Sequence, residues 1–555
     1  MKDIIIKELS KHLPLSKKQI ENLIETPPSS DLGDYSFPCF TLAKKQKSDP
    51  IKICQSLALK IKSKDFEKIE AKGPYINFFL DRNQITKSIL EKIQKQKDTF
   101  GSSNIGKKKT AVIDMSSPNI AKPFGIGHLR STIIGNSLAK TGEFQGYKII
   151  KINYLGDWGT PFGKLIAGFK KFGSQAKLKK SPIKHLYEIY VKVNKSEDFD
   201  DIGKEWFNKL EANDKEAMKY WKKFRELSLK DFEKIYSLLN IKFDVISGES
   251  FYNDKMQATI SDLKKKKLLT ESEGAQIVDL SKHNLGVALI QKSDGATLYT
   301  TRDLTAAIYR KKKYKADCLV YEVGSEQKYH FKQVFKILKL LGHKWAEEAH
   351  HVDHGLYLDS DGKKFATRKG KTIFMEDILE ETKSLAAKEI SKRASLSKAE
   401  LEKRALAVTR AAIFYGDLKN YRSNDMVFDI KKFIDFEGNT GPYLLYAYAR
   451  ARSILRKAKY KKSKVKINQV SDKEKALILE LSKFPQVVLQ TCKQFAPNLI
   501  ANYSYDIAQK FNEFYHAEKV IGSEEESFRL ALVDSFSQVL KNSLNLLGIE
   551  TLEKM

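Results

Sequence analysis

A glycine turn ahead of an amphipathic stretch holds the residues best suited to phosphate chemistry. Gly125-Ile126-Gly127-His128 comes directly before an apolar pattern with helical spacing. Backbone N–H groups and the dipole at a helix N-terminus attract phosphate oxygens. Lys122 and His128 would add side-chain donors. An ordinary tight turn with an exposed histidine is the competing interpretation, and spacing alone does not separate the two.

The spacing of these glycines excludes two common nucleotide motifs. A dinucleotide fingerprint needs a third glycine where Arg130 stands, and an acidic residue at the end of the next strand. The stretch from Gly159 to Lys164 is one residue short of a phosphate loop, and Leu165 replaces its magnesium-binding hydroxyl. Neither motif is therefore predicted here.

Metal and disulfide chemistry are not indicated. The four cysteines are far apart and form no CxxC pair, which argues against a thiolate zinc site and fits a reducing compartment: Cys39, Cys54, Cys318 and Cys492. His350 and His354 are four apart, but their segment has the pattern of a strand. A strand would place both on one face without bringing them together, so no metal site is predicted.

Composition indicates a folded chain with a polyanionic partner. Of the 555 residues, 41% are hydrophobic, which allows large cores and excludes a disordered chain. Lys and Arg exceed Asp and Glu by 99 to 69, a net charge of +30. Nucleic acid is the first candidate partner and an anionic membrane surface the second, while a lysine-rich genome bias is the alternative explanation. No apolar run reaches the length of a membrane helix, and the first residues lack the apolar core of a secretory signal, so a cytoplasmic protein is expected.

The elements that must position the glycine turn read as a βαβ unit. Strand Thr110–Met115, helix His128–Glu143 and strand Lys148–Ile152 follow one another, and such units build parallel sheets. Residues 184–240 are predicted to be a helical insertion. Further strands are predicted at Gln276–Leu280, Val287–Gln291, Cys318–Val323 and His351–Leu358.

Two more units flank this one. The first contains helical patterns at Ile4–Leu13, Ile51–Ile61 and Ile85–Lys97, and an aromatic strand, Tyr75–Leu80. From about residue 384 the pattern is almost wholly helical, which predicts an all-α bundle. We expect three domains, over residues 1–105, 106–383 and 384–555.

Six motifs along the chain resemble, in order, those of arginyl-tRNA synthetases, a class I family. Residues 116–132 (SSPNIAKPFGIGHLRST) are similar to the region of the family's HIGH signature. The others are residues 153–160 (NYLGDWGT), 249–252 (ESFY), 299–303 (YTTRD), 365–370 (FATRKG, similar to the family's altered KMSKS loop) and 438–443 (GNTGPY).

The resemblance implies an α/β multidomain protein. Its parts would be a small α+β N-terminal domain that binds tRNA, a Rossmann-like catalytic domain with helical insertions, and an anticodon-binding helical bundle. The implied activity is an arginine–tRNA ligase that uses ATP with Mg²⁺. Arginyl-adenylate and pyrophosphate would form first, and arginine would then pass to the terminal ribose of tRNA(Arg) with release of AMP. The implied partners are tRNA(Arg), L-arginine and ATP, without a membrane, and the implied state is a monomer.

The resemblance also implies roles for particular residues. The catalytic set is His128, Lys122, Lys364, Arg368 and Lys369, and the ATP-binding set is Phe124, Gly125, Gly127, His128 and Thr367. Arginine would be bound by Asp114, Asn119, Tyr299, Asp303 and Gln327, and tRNA by Tyr75, Asn77, Phe78, Tyr443 and Arg450. On sequence alone, Asp303 has a second interpretation as the N3 residue of a capping box that begins at Thr300.

The chain departs from the class I pattern at three positions. Gly125 replaces the first HIGH histidine, Thr367 replaces the second lysine of KMSKS, and Pro161 stands where similar sequences often have glutamine. Because Thr367 has no charge, Lys122 is predicted to be the main replacement cation and Lys369 the lesser one. Two alternatives stay open at this point: another class I synthetase such as the cysteinyl one, whose zinc-binding cysteines are missing, and a synthetase-like RNA-binding protein without ligase activity.

Overall fold

The fold was analysed in a computed structural model, which describes residues 2–293, 298–365, 367–368, 371–372, 374–462 and 465–555. The N-terminal region contains α1 (Lys2–Leu9), α2 (Lys17–Leu23), β1 (Tyr35–Pro38), α3 (Phe40–Gln46), α4 (Pro50–Lys60), β2 (Phe66–Lys72), β3 (Tyr75–Leu80) and α5 (Arg82–Gln96). The strands form an antiparallel sheet of order β1-β3-β2. The Asp49 and Asp81 carboxylates accept backbone N–H bonds and so fix the starts of α4 and α5.

The central region begins with β4 (Thr110–Asp114), α6 (Ile126–Phe144), β5 (Lys148–Leu155), α7 (Thr160–Phe172), α8 (Gln175–Lys180), α9 (Pro182–Asn194), α10 (Phe199–Glu211), α11 (Lys215–Leu239) and β6 (Val245–Gly248). It continues with α12 (Met256–Lys265), β7 (Thr270–Ser272), β8 (Ala275–Asp279), β9 (Val287–Gln291), α13 (Tyr299–Tyr314), β10 (Cys318–Gly324), α14 (Lys328–Leu340), β11 (Ala349–His354), β12 (Tyr357–Leu358), β13 (Thr367–Arg368), β14 (Lys371–Thr372) and α15 (Met375–Ser391).

A five-stranded parallel sheet of order β11-β10-β4-β5-β6 organises this region and confirms the predicted fold class. Adjacent strand residues face opposite sides, as a period of two requires. Val112 and Leu319 belong to the core on one face, and their neighbours Ile113 and Val320 belong to the core on the other. Both faces are therefore covered, as is usual for parallel sheets.

The helical insertion is longer than the sequence pattern indicates. Helices α7 to α11 fill residues 160–239, so the insertion begins directly after β5 rather than near residue 184. Pro161 lies in the first turn of α7, where its missing N–H costs no hydrogen bond. The strands β7, β8 and β9 form a separate antiparallel sheet.

In the described residues of the C-terminal region, the regular elements are helices and one short strand. It contains α16 (Lys398–Leu418), β15 (Met426–Val427), α17 (Ile430–Phe433), α18 (Gly441–Lys457), α19 (Asp472–Ser482), α20 (Phe484–Gln494), α21 (Asn498–Ala517) and α22 (Glu526–Leu546). The two-residue strand β15 pairs with β12, which ties the bundle to the central region. Its shortness explains why no period-two pattern predicts it.

The bundle and the central region share one core. Buried side chains from α6, such as Leu129 and Ile133, belong to the same cluster as Phe414 of α16 and Leu544 of α22. The N-terminal region has its own core up to β3, whereas Leu90 and Ile93 of α5 belong to the shared core. Ion pairs also join this region to the bundle, for example Lys475 with Asp34 at 2.8 Å. None of the helices in the described ranges has the length and apolar character needed to cross a bilayer.

Candidate active site

The site lies at the edge where the five parallel strands end. Because the strands are parallel, the loops after Asp114, Leu155, Gly248, Gly324 and His354 all leave the same edge of the sheet. Ligands bind at this edge in open α/β sheets. The predicted arginine and ATP residues lie in or beside these loops.

The loop between β4 and α6 is held in a strained form by the insertion. Ser116, Ser117 and Ala121 have positive φ angles of 77°, 49° and 59°, which non-glycine residues rarely adopt. Ser228 of α11 accepts a hydrogen bond from the Ala121 N–H at 2.8 Å, and the Tyr236 hydroxyl lies 2.8 Å from Ser116 Oγ. The insertion helix therefore fixes the loop that carries the candidate nucleotide-binding residues.

His128 is a neutral imidazole in the first turn of α6. The Gly125 N–H donates to His128 Nδ1 at 3.0 Å, which assigns the ring proton to Nε2. Burial lowers the pKa of His128 to about 4, and the nearby charges of Lys122 and His354 act in the same direction. At neutral pH the ring is thus an uncharged N–H donor rather than a cation.

Lys122 is held by the insertion rather than surrounded by solvent. Its ammonium lies 4.4 Å from the centroid of the Tyr190 ring on α9, within the range of a cation–π contact. The side chain is half-buried. Lys122 therefore has a partner within the protein as well as contact with solvent.

Gly127 and Phe124, both of the predicted ATP-binding set, differ in accessibility. No atom lies within 4 Å of the position that a Cβ on Gly127 would occupy, so its backbone faces open space. Phe124 is 2% exposed and packs edge-on against Phe232 and Tyr236. The Phe124 side chain thus supports the loop from inside the core.

Asp303 is not a helix cap. Helix α13 begins at Tyr299, with Leu298 at the N-cap and no side-chain cap, so the capping-box interpretation from Thr300 is wrong. The Asp303 carboxylate instead lies 2.6 Å from His330 Nε2, and the His330 ring packs against Tyr299 at 4.8 Å between centroids. The structure therefore brings Tyr299 and Asp303 together with a histidine from α14.

The remaining predicted arginine residues lie around the same edge. Asp114 is buried and its Oδ2 lies 2.6 Å from Arg310 Nη1. Asn119 is exposed and pairs through its backbone with Gly156, in the loop after β5. Gln327 is exposed at the start of α14.

Glu249 is a candidate that the sequence analysis did not assign. It follows β6 directly, and its Oε1 lies 3.9 Å from Arg302 Nη1. Burial raises the pKa of Glu249 to about 7, with Arg302 opposing the rise and Asp303 and Asp157 adding to it. The available signal was its place in the motif ESFY, at the end of a strand too short to predict.

Asp157 connects Glu249 to the insertion. Its carboxylate accepts hydrogen bonds from the Ser250 N–H at 2.9 Å and from Arg225 Nε of α11 at 3.2 Å. Asp157 itself is fully buried. The residue after Glu249 is therefore fixed by the same helix that fixes the β4–α6 loop.

The loop that resembles KMSKS is only partly described. Lys364 Nζ lies 3.2 Å from Glu326 Oε1, which places this lysine beside the loop after β10. Thr367 and Arg368 form β13, which pairs with β14, while their side chains lie outside the described part. Lys369 lies outside the described residues altogether.

The histidines of β11 do not form a metal site. His354 Nδ1 lies 2.9 Å from Glu322 Oε1, whereas His350 lies 3.9 Å from Glu348. Across the described ranges, no group of three or more His, Cys, Asp and Glu side chains could hold a metal ion.

The predicted tRNA residues fall into two unequal groups. In β3, Phe78 and Asn77 are buried at 0% and 4% exposure, so of the three predicted residues on this strand only Tyr75 keeps a partly exposed side chain. Phe78 belongs to the core of the N-terminal region, because the central strand of a sheet turns alternate residues inward. A contact to tRNA through the Phe78 ring is therefore not available in this conformation.

In the bundle, Tyr443 and Arg450 share one partner. Asn512 donates to the Tyr443 hydroxyl at 2.6 Å and accepts from Arg450 Nη1 at 2.9 Å. The Arg450 guanidinium lies over the rings of Tyr446 and Tyr515 at 4.8 and 5.8 Å. These five residues, called here the bundle cluster, form a partly exposed aromatic and basic surface.

Three protein-family models match the chain, one after another along its length. They are "Arginyl tRNA synthetase N terminal domain" over residues 1–80, "tRNA synthetases class I (R), catalytic domain" over residues 87–430, and "DALR anticodon binding domain" over residues 444–555.

Named relatives match over the full length. The arginine–tRNA ligases of Clostridium botulinum (strain Alaska E43 / Type E3) and Enterococcus faecalis (strain ATCC 700802 / V583) are each 44% identical to this chain, with 100% of both chains covered. The solved arginyl-tRNA synthetase of Plasmodium falciparum has a TM-score of 0.78 at 28% identity, covering 96% of this chain and 94% of that chain. The Thermus thermophilus structure has a TM-score of 0.81 at 23% identity, covers 100% and 99% respectively, and shares the fold.

Proposed function

The chain belongs to the class I arginyl-tRNA synthetase family, and from this membership we infer how its residues perform the reaction. It is an ATP-dependent arginine–tRNA ligase. The membership sets aside both the cysteinyl alternative and an RNA-binding protein without activity. The roles given below to single residues are our proposal.

The observation that carries the proposal is a cluster of buried and partly buried charges beside the candidate nucleotide-binding loop. Asp114, Glu249 and Asp303 provide three carboxylates, and Arg302 and Arg310 provide two guanidiniums. With all three carboxylates ionised, the cluster has a surplus of one negative charge, and a bound guanidinium favours the ionised form of Glu249. One substrate guanidinium balances this surplus, and its planar donors match carboxylates better than the point charge of a lysine does.

We propose that Asp303 and Glu249 bind the guanidinium of arginine. His330 holds one oxygen of Asp303 and leaves the other free for the substrate. Asp157 and Ser250 hold the segment of Glu249. Tyr299 and Gln327 would close the pocket from the outside, and Asp114 and Asn119 would bind the α-groups.

In the first step, an oxygen of the arginine carboxylate attacks the α-phosphorus of ATP. A bond from carboxylate oxygen to phosphorus forms, and the bond to pyrophosphate breaks. Negative charge grows on the phosphate oxygens, so fixed donors and cations lower the barrier without a side-chain nucleophile. The neutral Nε2–H of His128 and the ammonium of Lys122 supply these groups, and Lys364, Arg368 and Lys369 of the KMSKS-like segment are proposed to add cations.

In the second step, the terminal ribose hydroxyl of tRNA attacks the carbonyl carbon of the adenylate. The hydroxyl proton passes to a phosphate oxygen of the adenylate, the new ester bond forms, and AMP leaves with the electrons of the cleaved carbon–oxygen bond. The bundle cluster and Tyr75 would hold the tRNA at a distance from the chemistry. The charge of +30 favours this polyanion as a partner.

We infer that Mg²⁺ arrives bound to the phosphate oxygens of ATP. Magnesium prefers oxygen ligands and keeps part of its water shell. The nucleotide side of the site offers the nitrogen donors of His128 and Lys122, which suit phosphate rather than the metal. A titration of ATP–pyrophosphate exchange with Mg²⁺ at fixed ATP tests this role.

We further propose a monomeric enzyme of the cytoplasm. Every candidate residue comes from one chain, so no second copy is needed to complete the site. The four cysteines are unpaired, as expected in a reducing compartment. Sedimentation of the purified protein tests the first statement and fractionation of the source cells the second.

The deciding experiment for the reaction is pyrophosphate exchange with tRNA(Arg) present. We expect exchange that requires arginine and is not supported by lysine or citrulline. Citrulline has the shape of arginine without its charge, so exchange with citrulline would contradict the charge balance of the pocket.

A further inference from the structure

Arg310 is a buried guanidinium that the reaction described above does not use. Its side chain is 1% exposed, and its Nη1 lies 2.6 Å from Asp114 Oδ2. The guanidinium lies 5.0 Å from the ring centroid of Tyr154 and 5.4 Å from that of Tyr321. Asp114 is thus held by a cation that is itself enclosed by aromatic rings.

Stability does not explain this ion pair. A buried pair repays its loss of hydration only where its remaining hydrogen-bonding groups are satisfied. Within the described residues, Nε and Nη2 of Arg310 are buried without a hydrogen-bond partner, and so are the hydroxyls of Tyr154 and Tyr321. Two apolar side chains of similar volume in place of the pair would serve the core as well, although removing one partner alone would leave the other charge unpaired.

The position of Asp114 indicates that the ion pair has a role in the active site. Asp114 is the last residue of β4, at the edge of the sheet where the site lies. Its second oxygen, Oδ1, accepts a hydrogen bond from Ser117 Oγ at 3.1 Å. An ionised carboxylate has about four acceptor positions, so room remains for one more donor.

Resting on the arginine site proposed above, we propose that Arg310 is a positioning residue. It keeps Asp114 ionised and directed so that this carboxylate accepts the α-ammonium group of the amino-acid substrate. The substrate is therefore read at both ends by carboxylates, with the guanidinium at Asp303 and Glu249 and the ammonium at Asp114.

The surroundings of Asp114 show why a resident cation is needed. Burial raises the pKa of the Asp114 carboxyl, and the charge of Asp303 on α13 adds to the rise. Arg310 and the Ser117 hydroxyl counteract it. The other neighbours are tyrosine rings, including Tyr252, which packs on Tyr154. Without Arg310, Asp114 would take up a proton at higher pH and attract an ammonium group only weakly.

The test compares Arg310→Met with the wild type through inhibitors of arginine-dependent pyrophosphate exchange. Agmatine keeps the guanidinium and an ammonium group but lacks the carboxylate. The acid 5-guanidinopentanoate lacks the ammonium. We expect the KM of arginine and the Ki of agmatine to rise about 10- to 100-fold, and the Ki of 5-guanidinopentanoate to change by less than about twofold. Equal losses for all three would mean that Arg310 only supports the pocket, and would overturn the proposal.

A double-mutant cycle with Asp114→Asn separates the pair from its surroundings. If Arg310 acts through Asp114, Arg310→Met should cost no further arginine affinity once Asp114 is uncharged. Fully additive losses would contradict the proposal.

Arg310→Lys covers the case in which Arg310→Met does not fold, because it keeps the charge. This variant should recover part of the agmatine affinity. In the Glu249→Gln background, which removes the pH dependence expected from Glu249, the remaining acid limb of arginine KM should move to higher pH in the order Arg310, Arg310→Lys, Arg310→Met. No recovery in a folded Arg310→Lys enzyme would overturn the proposal. Failure of the wild type to exchange pyrophosphate with arginine would instead contradict the proposed function.

Discussion

The arginine pocket and the bundle cluster both offer charged groups to a partner, but they hold those groups in opposite ways. In the pocket, Asp114 and Arg310 are almost fully buried and 2.6 Å apart. In the bundle cluster, Arg450 lies on aromatic rings, and Tyr446 and Tyr515 are 40% and 38% exposed. The charged groups of the pocket have lost their hydration before the substrate binds, whereas those of the bundle cluster remain hydrated.

This difference predicts how binding is distributed. A buried charge without its partner is costly, so a single substitution in the pocket should have a large effect. An exposed cation contributes little by itself, and affinity for a polyanion comes from many such groups together.

Lys122→Ala should lower kcat for adenylate formation by about two to three orders of magnitude, the scale found when one preorganised donor is removed. Pyrophosphate exchange with tRNA present measures it, and Lys369→Ala should do less. Lys209→Ala is the matched control, because Lys209 also lies over an aromatic ring, at 4.6 Å from that of Trp206, but outside the site. Near-normal pyrophosphate exchange by Lys122→Ala would mean that another residue supplies the replacement cation.

Asp303→Ala should weaken arginine recognition by about 2–4 kcal/mol, because a charge-assisted contact to the guanidinium is lost. The arginine KM and kcat/KM of the folded variant measure the loss, while the KM of ATP should stay the same. Asp262→Ala, which removes an exposed carboxylate on α12, is the control. An unchanged arginine KM would mean that Asp303 does not bind the guanidinium and that the Asp303–His330 pair only supports packing.

Lower pH should weaken arginine binding through Glu249. Its free-enzyme pKa is about 7, raised by burial. The guanidinium binds the ionised form, so below pH 7 binding must first expel a proton. The arginine KM should rise about tenfold per pH unit below 7 and level off above it. Glu249→Gln should abolish this limb and raise KM throughout, whereas a flat wild-type profile between pH 6 and 8 would remove Glu249 from the pocket.

Arg450→Ala should weaken tRNA binding by roughly tenfold or less and leave arginine activation unchanged, as expected for one contact among many. Its effect on tRNA binding should become smaller as the salt concentration is raised. The control is Arg456→Ala on the same helix, because Arg456 is bound to Glu553. Removing residues 384–555 cannot replace this test. Asp417 pairs with buried Arg130 of α6, so the deletion would disrupt the catalytic region as well.

The elements around the site could be predicted where they are long and periodic. The βαβ unit from Thr110, the strand Tyr75–Leu80 and the helices of the bundle follow from apolar spacing, because burial of one face imposes that spacing. The strands β12 and β15 could not be predicted, since two residues carry no period. The early start of the insertion was missed because α7 follows β5 after only a short loop.

By itself, the sequence determined the fold class and the family, because ordered motifs and periodicity are properties of the chain. It also predicted most of the candidate site residues, but not Glu249 or His330. Only the tertiary structure decided which of those residues meet. Asp303 has the spacing of a cap, yet it faces His330, which lies 27 positions later along the chain. Glu249, Asp157 and Arg225 come from three different elements. Such pairings depend on how strands and helices pack, and burial then sets the charge of His128 and Glu249, so neither can be read from residue types alone.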